Sequence, residues 1–488
     1  MVDYETTLRF GPSDPSGNRP LLVSPALTVV WHPNLDRIGQ MAMLWPEVGD
    51  DRGSHLSRDE PTFAVPGLDT GRPLDHRAIS RKERPTLRFR YRDGGFEIER
   101  LDQQIEIAVN LKTLAGTLRL SAEEVRAGVV ITVGRHFVFC FHLIRTPVTR
   151  SSVPGLLGTS DAIEDLRRSI LRAAKREPFV LLRGESGTGK ELAARALHEA
   201  GPRAKGPFIP VNMAALGGDQ ARADIFGYKK GAFTGATAGF PGHFRSAAGG
   251  TIFLDEIGFL TSDVQPMLFR VLDDQEILSM GTSQLVKVDV RIVAATDRNL
   301  EDLVEKGQFE RSLYNRLESA VTIPLAPLRK RREDVGCLLV HFLLSKMGDA
   351  AELQRLLDKR PEDRPWLWAS DVAAVALSPF PGNARDLKGL AANLLARASD
   401  APYDSHGVVK DFLVRRDPRS SQKDASTAKS TSAPLAELSD DQILAVFDRF
   451  HGNREDVARY LGKTRVTLWR RIRKSPKLKQ IIDERWPR

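Results

Sequence analysis

The chain has 488 residues, a net charge of +9 and a hydrophobic content of 41%, a globular composition that predicts about three domains. Its most apolar stretch, residues 129–144, contains charged and polar residues and falls short of the ~18 residues that span a bilayer, which argues against a membrane protein. The polar first residues do not resemble a secretory signal, and Cys140 and Cys337 lie far apart in apolar surroundings, unlike a disulfide framework or a metal site. We therefore expect a cytoplasmic protein.

The first region, residues 1–148, is predicted to be a β-sandwich. Short segments of alternating polar and apolar residues, separated by glycine and proline, are typical of strands. The predicted strands are 27–31, 86–90, 95–98, 105–109 and 129–141.

The pattern changes near residue 158 to short apolar runs with helical segments between them, which is typical of a parallel sheet covered by helices. The predicted strands are 179–182, 209–212, 251–254 and 290–294. We predict an α/β subdomain at 155–325 and a helical subdomain at 326–400. The Ser-, Thr-, Lys- and Ala-rich stretch 418–434 predicts a flexible linker, placed at 401–436, before a small helical unit at 437–488.

A glycine-rich loop follows the apolar run 179–182 and precedes a helix start. Its glycines allow backbone N–H groups to surround phosphate oxygens, and the next helix directs its positive end at the same point. Lys190 adds a charge for the terminal phosphates. The predicted ATP ligands are Gly184, Glu185, Ser186, Gly187, Thr188, Gly189, Lys190 and Glu191, the last standing where the general pattern has Ser or Thr.

Two acidic residues follow the apolar run 251–254. Asp255 falls at the carboxyl end of the predicted strand, where open parallel sheets bind their ligands. We expect Asp255 to hold Mg²⁺ directly or through water, and Glu256 to polarise the attacking water.

A hexapeptide between these two motifs carries a family resemblance. It reads Gly231, Ala232, Phe233, Thr234, Gly235 and Ala236. This is similar to the signature of the AAA+ activators of sigma-54 RNA polymerase, the bacterial enhancer-binding proteins. The resemblance covers about residues 157–395 and the C-terminal unit. It implies a loop that contacts sigma-54, ATP hydrolysis that moves this loop, and assembly into a ring, with six subunits as the family expectation.

The resemblance implies roles for further single residues. Asn212 resembles the family's polar switch on the catalytic Glu256. Thr296 and Asp297 resemble the segment that senses the γ-phosphate, where the family often has Asn or His in place of Asp297. Arg385 resembles the lid arginine that contacts nucleotide.

The segment 309–317 resembles the one that sends arginines into the neighbouring subunit's site. Arg316 matches the second of these arginines. The first position is occupied by Glu310, and an arginine follows one residue later at Arg311. One residue on a helix rotates a side chain by about 100°, so Arg311 is expected to contribute less than Arg316.

The C-terminal unit has the pattern of a helix-turn-helix and resembles the Fis-type DNA-binding module. Gly462 makes the turn and Thr464 caps the second helix. The residues offered to DNA with Thr464 are Arg465, Thr467, Arg470 and Arg471. A basic helical hairpin that binds a protein is the alternative.

The N-terminal region resembles a forkhead-associated domain, a β-sandwich that binds phosphothreonine. The resemblance rests on Ile38 and Gly39 on a strand, Ser80 and Arg81 after a polar loop, the 128–134 strand, and Asn110 as a peptide-holding residue. Gln40 and Glu83 stand where the family has Arg and His. The fold is therefore also compatible with a regulatory module that has no affinity for phosphopeptides.

The sequence thus predicts an ATP-dependent activator that binds enhancer DNA, remodels the sigma-54 polymerase and carries a signal-sensing module. Two other functions stay open. One is an AAA+ remodeller of another substrate. The second is a DNA-binding regulator with little or no ATP turnover. This alternative is favoured by Asp297, Glu310 and Ser312.

Overall fold

The computed structural model describes residues 22–44, 53–66, 71–76, 79–80, 84–146, 151–176, 178–216, 218–234, 236–358, 365–397 and 405–414, with residues 444, 472 and 475. The chain divides into two compact units, Met1–Leu413 and Val414–Arg488. Apart from residues 444, 472 and 475, the predicted helix-turn-helix at 437–488 lies outside the described residues, and so do all five of its proposed DNA-binding residues. Within the described part, no helix is long and apolar enough to cross a bilayer.

The N-terminal region folds into two antiparallel sheets. Its elements are β1 (Leu22–Trp31), β2 (Met41–Met43), β3 (Ser54–Leu56), β4 (Leu87–Arg92), β5 (Gly95–Arg100), β6 (Ile107–Val109), β7 (Lys112–Thr113), β8 (Thr117–Ser121), α1 (Ala122–Arg126), β9 (Val129–Val133) and β10 (Phe137–Thr146). One sheet has the order β2-β1-β10-β9-β6-β7 and the other β3-β4-β5-β8. Leu27 and Phe139 of the first sheet and Phe89 and Ile98 of the second share one core. Alternate residues of β4 are buried, as expected for a sheet with one face on the core.

Two details of this region differ from the sequence prediction. The stretch 129–141 is a hairpin of β9 and β10 rather than one strand, because Gly134, at φ +57°, allows the turn between them. Ile38 and Gly39, predicted on a strand, lie in the turn between β1 and β2, where the Gly39 N–H donates to the Val29 carbonyl over 2.8 Å.

The central region is a parallel sheet with helices around it. Its elements are α2 (Asp161–Arg176), β11 (Phe179–Arg183), α3 (Lys190–Glu199), β12 (Phe208–Asn212), α4 (Gly218–Phe226), α5 (His243–Ser246), β13 (Thr251–Asp255), α6 (Gln265–Asp274), β14 (Glu276–Leu278), β15 (Leu285–Lys287), β16 (Arg291–Thr296), α7 (Leu300–Glu305), α8 (Arg311–Glu318) and β17 (Val321–Pro324). The sheet order is β12-β13-β16-β11-β17, with every pair parallel. Strands β11, β13 and β16 therefore end together at one edge.

Five helices follow the sheet and form the lid. They are α9 (Val335–Met347), α10 (Ala350–Asp358), α11 (Ala369–Ala376), α12 (Asn383–Ala396) and α13 (Ser405–Val414). The linker predicted from residue 401 is wrong at its start, because α13 buries Val408, Val409 and Phe412 in the lid core. The Ser- and Thr-rich composition that indicates a linker begins only after this helix.

The N-terminal sheets and the lid share a hydrophobic core. Val30 and Val138, from β1 and β10, belong to the same buried cluster as Leu338 and Trp366 of the lid region. The approach is close, since a Cβ added at Gly336 would stand 1.8 Å from the carbonyl oxygen of Val30. The N-terminal region thus has a core of its own and also packs against the lid.

Candidate active site

The loop between β11 and α3 has the shape that its glycines require. Gly187 and Gly189 have φ values of +76° and +101°, which side chains with a Cβ rarely adopt. The Thr188 hydroxyl donates to the Glu185 carbonyl over 2.8 Å and closes the turn. The Gly184 N–H donates to the Thr296 carbonyl over 3.2 Å, which fixes the loop to the neighbouring strand β16. The loop thus forms a backbone cradle at the N-terminus of α3.

Lys190 and Glu256 meet at the centre of this edge. The Lys190 amino group donates to the Gly184 carbonyl over 3.0 Å and lies 3.4 Å from Oε1 of Glu256. Among the described residues, no donor reaches the second oxygen of Glu256, Oε2, although this atom is buried. Glu256 has a left-handed backbone at φ +56°, directly after β13. A carboxylate at the end of a parallel strand, beside a buried lysine, is a candidate catalytic group.

Asp255 lies beside Glu256 and accepts the Glu256 N–H over 3.0 Å. Burial raises the pKa of both carboxyl groups above their ordinary values, and Lys190 opposes that rise. Asp297 lies near Glu256 and raises its pKa further. Thr296, at the end of β16, is 1% exposed, and its hydroxyl accepts the Arg298 N–H over 3.0 Å.

The residues at this edge fit MgATP. The loop and the start of α3 offer backbone N–H groups to phosphates, and Lys190 offers a positive charge. Asp255 offers a carboxylate, the oxygen ligand that Mg²⁺ prefers. A bound cation would also favour the ionised form of a carboxyl group whose pKa burial raises.

The lid contacts the phosphate loop directly. The Asn383 amide donates to Glu185 over 3.2 Å and to the Ser186 carbonyl over 3.0 Å. Arg385 donates to the Ser186 hydroxyl over 2.9 Å, which brings the predicted lid arginine to the predicted loop. The approach is tight, because a Cβ added at Gly187 would stand 2.1 Å from the Gly382 carbonyl oxygen.

Arg329 is a site residue that the sequence reasoning did not name. Its guanidinium donates to both carboxylate oxygens of Glu185, over 2.7 and 2.5 Å. This contact holds the pKa of Glu185 below its ordinary value. The separation of 144 residues leaves no local signal for the pair.

The other predicted catalytic residues lie on the strand next to Asp255 and on α8. Asn212 ends β12, opposite Asp255 in register, and its side chain accepts the Ala214 N–H over 2.9 Å. Arg311 is exposed at the first turn of α8, where Glu310 is the N-cap. Arg316 donates to the Leu272 carbonyl over 3.1 and 2.7 Å. The roles of these residues stay predictions.

The hexapeptide lies between α4 and α5, with Gly231, Phe233 and Thr234 exposed and Ala236 buried. The Gly231 N–H donates to the Ala236 carbonyl over 2.9 Å, and the Ala236 N–H to the Phe233 carbonyl over 3.0 Å. Phe233 is 40% exposed, with its ring 4.9 Å from that of Tyr228. Thr234 is exposed, whereas Gly235 lies outside the described residues.

In the N-terminal region, the described residues of the predicted phosphopeptide site bond within their own domain. The Ser80 hydroxyl donates to Asp102, and the Ser80 N–H donates to the Thr86 hydroxyl over 3.2 Å. Asn110 accepts the Val130 N–H at its side-chain oxygen over 3.0 Å. Gln40 donates to the Asp36 carbonyl over 3.0 Å. Arg81 and Glu83 are outside the described residues.

Comparison with known proteins shows which family the chain resembles. Residues 156–323 match the model of the sigma-54 interaction domain, and residues 434–474 match that of the Fis family of bacterial regulatory proteins. The chain is 37% identical over 336 residues to the DNA-binding transcriptional regulator NtrC of Escherichia coli K12, covering 65% of this chain and 69% of that protein. It is 45% identical over 257 residues to the Nif-specific regulatory protein of Rhodobacter capsulatus, covering 52% and 42%. The ATP complex of NtrX from Brucella abortus aligns with 28% identity and a TM-score of 0.47, covering 67% of this chain and 69% of that one.

The phosphate loop, the acidic strand end and the matched domain model define the class of the central region, which is an AAA+ ATPase. The whole chain belongs to the sigma-54-dependent transcriptional activators with a Fis-type DNA-binding region, because the match to NtrC extends over more than two thirds of that regulator.

Proposed function

We propose that this activator hydrolyses ATP at the edge of the parallel sheet and uses the energy to remodel the sigma-54 polymerase closed complex. The observation that carries the proposal is the meeting of Lys190 with Glu256 at 3.4 Å, next to a glycine cradle. It supports phosphate binding beside a carboxylate that has one oxygen free of donors within the described structure.

Each residue at the site then has a chemical task. Lys190 and the loop N–H groups bind the phosphates, and Glu256 orients the attacking water and accepts its proton. Mg²⁺, held by Asp255, would neutralise phosphate charge. Thr296 and Asp297 lie where the nucleotide's terminal phosphate would be sensed, and Arg385 contacts nucleotide from the lid.

The turn Gly231–Ala236 is the proposed contact with sigma-54. Phe233 gives this turn an apolar tip, and Thr234 adds a hydroxyl. Rings of six subunits are the proposed active form, with Arg316, and to a lesser extent Arg311, completing the neighbour's site. Asn212 is the proposed switch on Glu256.

The proposed function is tested by transcription from a sigma-54 promoter with the full chain. We expect Thr234→Ala to lose activation while it keeps ATP turnover, because the tip contacts the partner and not the nucleotide. Thr237→Ala is the matched control, since Thr237 is an exposed neighbour outside the hexapeptide. Equal activation by wild type and Thr234→Ala would contradict the proposal.

The C-terminal unit is proposed to bind double-stranded enhancer DNA through Thr464, Arg465, Thr467, Arg470 and Arg471. Phosphate contacts release counterions, so binding should weaken steeply as salt rises. Salt-insensitive binding would point to a protein partner.

The N-terminal region is proposed to be a β-sandwich of the forkhead-associated type that senses a signal. Two antiparallel sheets around one core support this fold. A titration with phosphothreonine peptides against Ser80→Ala and Arg81→Ala tests peptide binding. Equal affinities for phosphorylated and plain peptides would leave a module without phosphate recognition.

A second candidate, a DNA-binding regulator with weak turnover, is favoured by one observation. Glu310 caps α8 at the position where the family has an arginine. ATP turnover by the purified full chain separates the two functions, and a rate at background would select the second.

A further inference from the structure

The segment from Leu328 to Asp334 joins the strand β17 to the lid helix α9. It consists of two short 3-10 turns, Leu328–Lys330 and Arg332–Asp334. Its side chains contact three parts of the molecule, and these contacts are described in turn.

The first turn contacts the phosphate loop. Arg329 binds both carboxylate oxygens of Glu185, and this paired geometry fixes direction as well as distance. The Leu328 N–H donates to the side-chain oxygen of Asn383 over 2.7 Å. Because Asn383 also donates to Glu185, the first turn, the loop and the lid are bonded to one another.

The second turn contacts the N-terminal sheets. Arg332 donates to the Gly128 carbonyl over 2.6 Å. Gly128 has φ +85°, and a Cβ added there would lie 3.1 Å from Cys140 Sγ and 3.6 Å from Arg332 Cδ. The turn before β9 is thus held between β10 and the Arg332 side chain.

At its last residue the segment is anchored to the residues just before α2. Asp334 is fully buried and accepts the N–H groups of Thr159 and Ser160 over 2.6 and 2.9 Å. The Ser160 hydroxyl also donates to it over 2.7 Å. Only Lys330 and Arg331 separate Arg329 from Arg332, so a displacement of the second turn is expected to reach the first.

We propose that Arg329 is a positioning residue for the phosphate loop, and that Arg332 makes this position depend on the N-terminal β-region. The proposal deepens the proposed function, on which it rests, by naming the route from the signal-sensing module to the nucleotide. A ligand that shifts the turn at Gly128 would move Arg332, the two 3-10 turns and Arg329. The orientation of Glu185 and the closure of the lid over the loop would then change.

The test measures the KM and kcat for ATP, and the affinity for a fluorescent ATP analogue, in full-length variants. We expect Arg329→Met to raise the KM for ATP about five-fold or more and to change kcat less. Five-fold is the lower end of the range for energetic coupling between two sites. Arg332→Met, which keeps the aliphatic stem against Gly128, should change KM in the same direction by less. Arg332→Lys, which can still donate to the carbonyl, should restore much of the loss.

The control is Lys330→Met, because Lys330 is an exposed cation in the same turn that acts on Glu185 through its charge and not through a paired hydrogen bond, so this variant separates lost charge from lost positioning. Thermal unfolding of each variant separates lost folding from lost positioning. Because both residues act along one route, the double variant Arg329→Met/Arg332→Met should be no worse than Arg329→Met alone.

An unchanged affinity in Arg332→Met would overturn the link to the β-region, and an unchanged affinity in Arg329→Met would overturn the positioning role. Additive effects in the double variant would show two independent contacts and would also overturn the route. These outcomes are read from nucleotide affinity, which stays measurable if turnover is weak. Failure of sigma-54 activation with intact ATP affinity would count against the proposed function alone.

Discussion

The nucleotide edge of the central sheet and the loop end of the N-terminal sheets use polar side chains differently. At the nucleotide edge, Lys190 is 6% exposed and the buried Oε2 of Glu256 has no donor within the described structure. In the N-terminal region, Ser80 and Asn110 make hydrogen bonds to neighbouring strands and loops. Both regions have well-packed cores, so packing does not distinguish them.

This difference between the two regions indicates which polar residues are candidates for binding a ligand. Burying charged groups side by side costs free energy, and such clusters are common where a ligand is bound or a reaction is catalysed. Lys190 and Glu256 form such a pair, whereas the side chains of Ser80 and Asn110 bond to partners inside the protein. The comparison favours catalysis at the first site and a structural role for Ser80 and Asn110 at the second, but it does not extend to Gln40, whose Oε1 is also buried without a donor among the described residues.

The largest expected effect tests whether the nucleotide edge is complete in one chain. Arg316→Ala should abolish ATP hydrolysis, with a loss on the order of 10³–10⁵, because an arginine from a neighbouring copy stabilises the charge of the transition state. Arg311→Ala should lose less, and steady-state turnover measures both. Since Arg316 also donates to the Leu272 carbonyl, ATP affinity and thermal unfolding must be recorded beside the rate. Equal turnover in wild type and Arg316→Ala would sink this assignment.

The next effect tests the carboxylate itself. Glu256→Gln should keep ATP affinity and lose roughly 10²–10⁴ in turnover, because the amide cannot accept the proton of the attacking water. Lys190→Met should instead lose ATP binding, which a fluorescent analogue measures. A Glu256→Gln variant that turns over ATP at the wild-type rate would remove Glu256 from the mechanism.

A smaller effect concerns the contact between the lid and the N-terminal sheets. Gly336→Ala should lower the free energy of unfolding by about 1–3 kcal/mol, since its Cβ would overlap the Val30 carbonyl oxygen and force α9 away from β1. Gly389→Ala in α12 is the control, because a Cβ there meets nothing within 4 Å and should stabilise by roughly 0.4–1 kcal/mol. Urea unfolding measures both, and similar shifts in the two variants would contradict the close packing.

The smallest expected effect tests whether Asn110, in an N-terminal loop, has a structural role or binds a peptide. Asn110→Ala should lower the free energy of unfolding by about 1–2 kcal/mol, because the Val130 N–H loses its side-chain acceptor and alanine is strained at the φ of +47° found there. If the residue is structural, affinity for a phosphothreonine peptide should not change. Loss of peptide affinity at unchanged stability would instead support the peptide-holding role that the family resemblance implies.

The sequence predicted that Lys190, Asp255 and Glu256 come together, because the motifs that contain them are local. The glycine loop and the acidic pair each follow a short apolar strand, so parallel strands bring Lys190 and Glu256 to one edge. Contacts set by tertiary packing had no such signal. Arg329 reaches Glu185 across 144 residues and Arg332 reaches Gly128 across 204, and no spacing or periodicity predicts either pair. The misplaced linker start has a local cause, since the short helix α13 precedes the compositional change.

The core that the N-terminal sheets share with the lid bears on how the protein can be cut and recombined. Removing residues before 150 would take Val30 and Val138 out of the buried cluster that they share with Leu338 and Trp366 and would expose part of it to water. A truncated chain would then carry a new apolar surface prone to aggregation, and its lid would be free to move for a reason unrelated to any signal. The activity of such a fragment would reflect this damage together with any regulatory effect of losing the N-terminal region. Point substitutions where the N-terminal sheets meet the lid are therefore the cleaner probe of regulation. An exchange of the N-terminal region between relatives would have to include the matching lid surface.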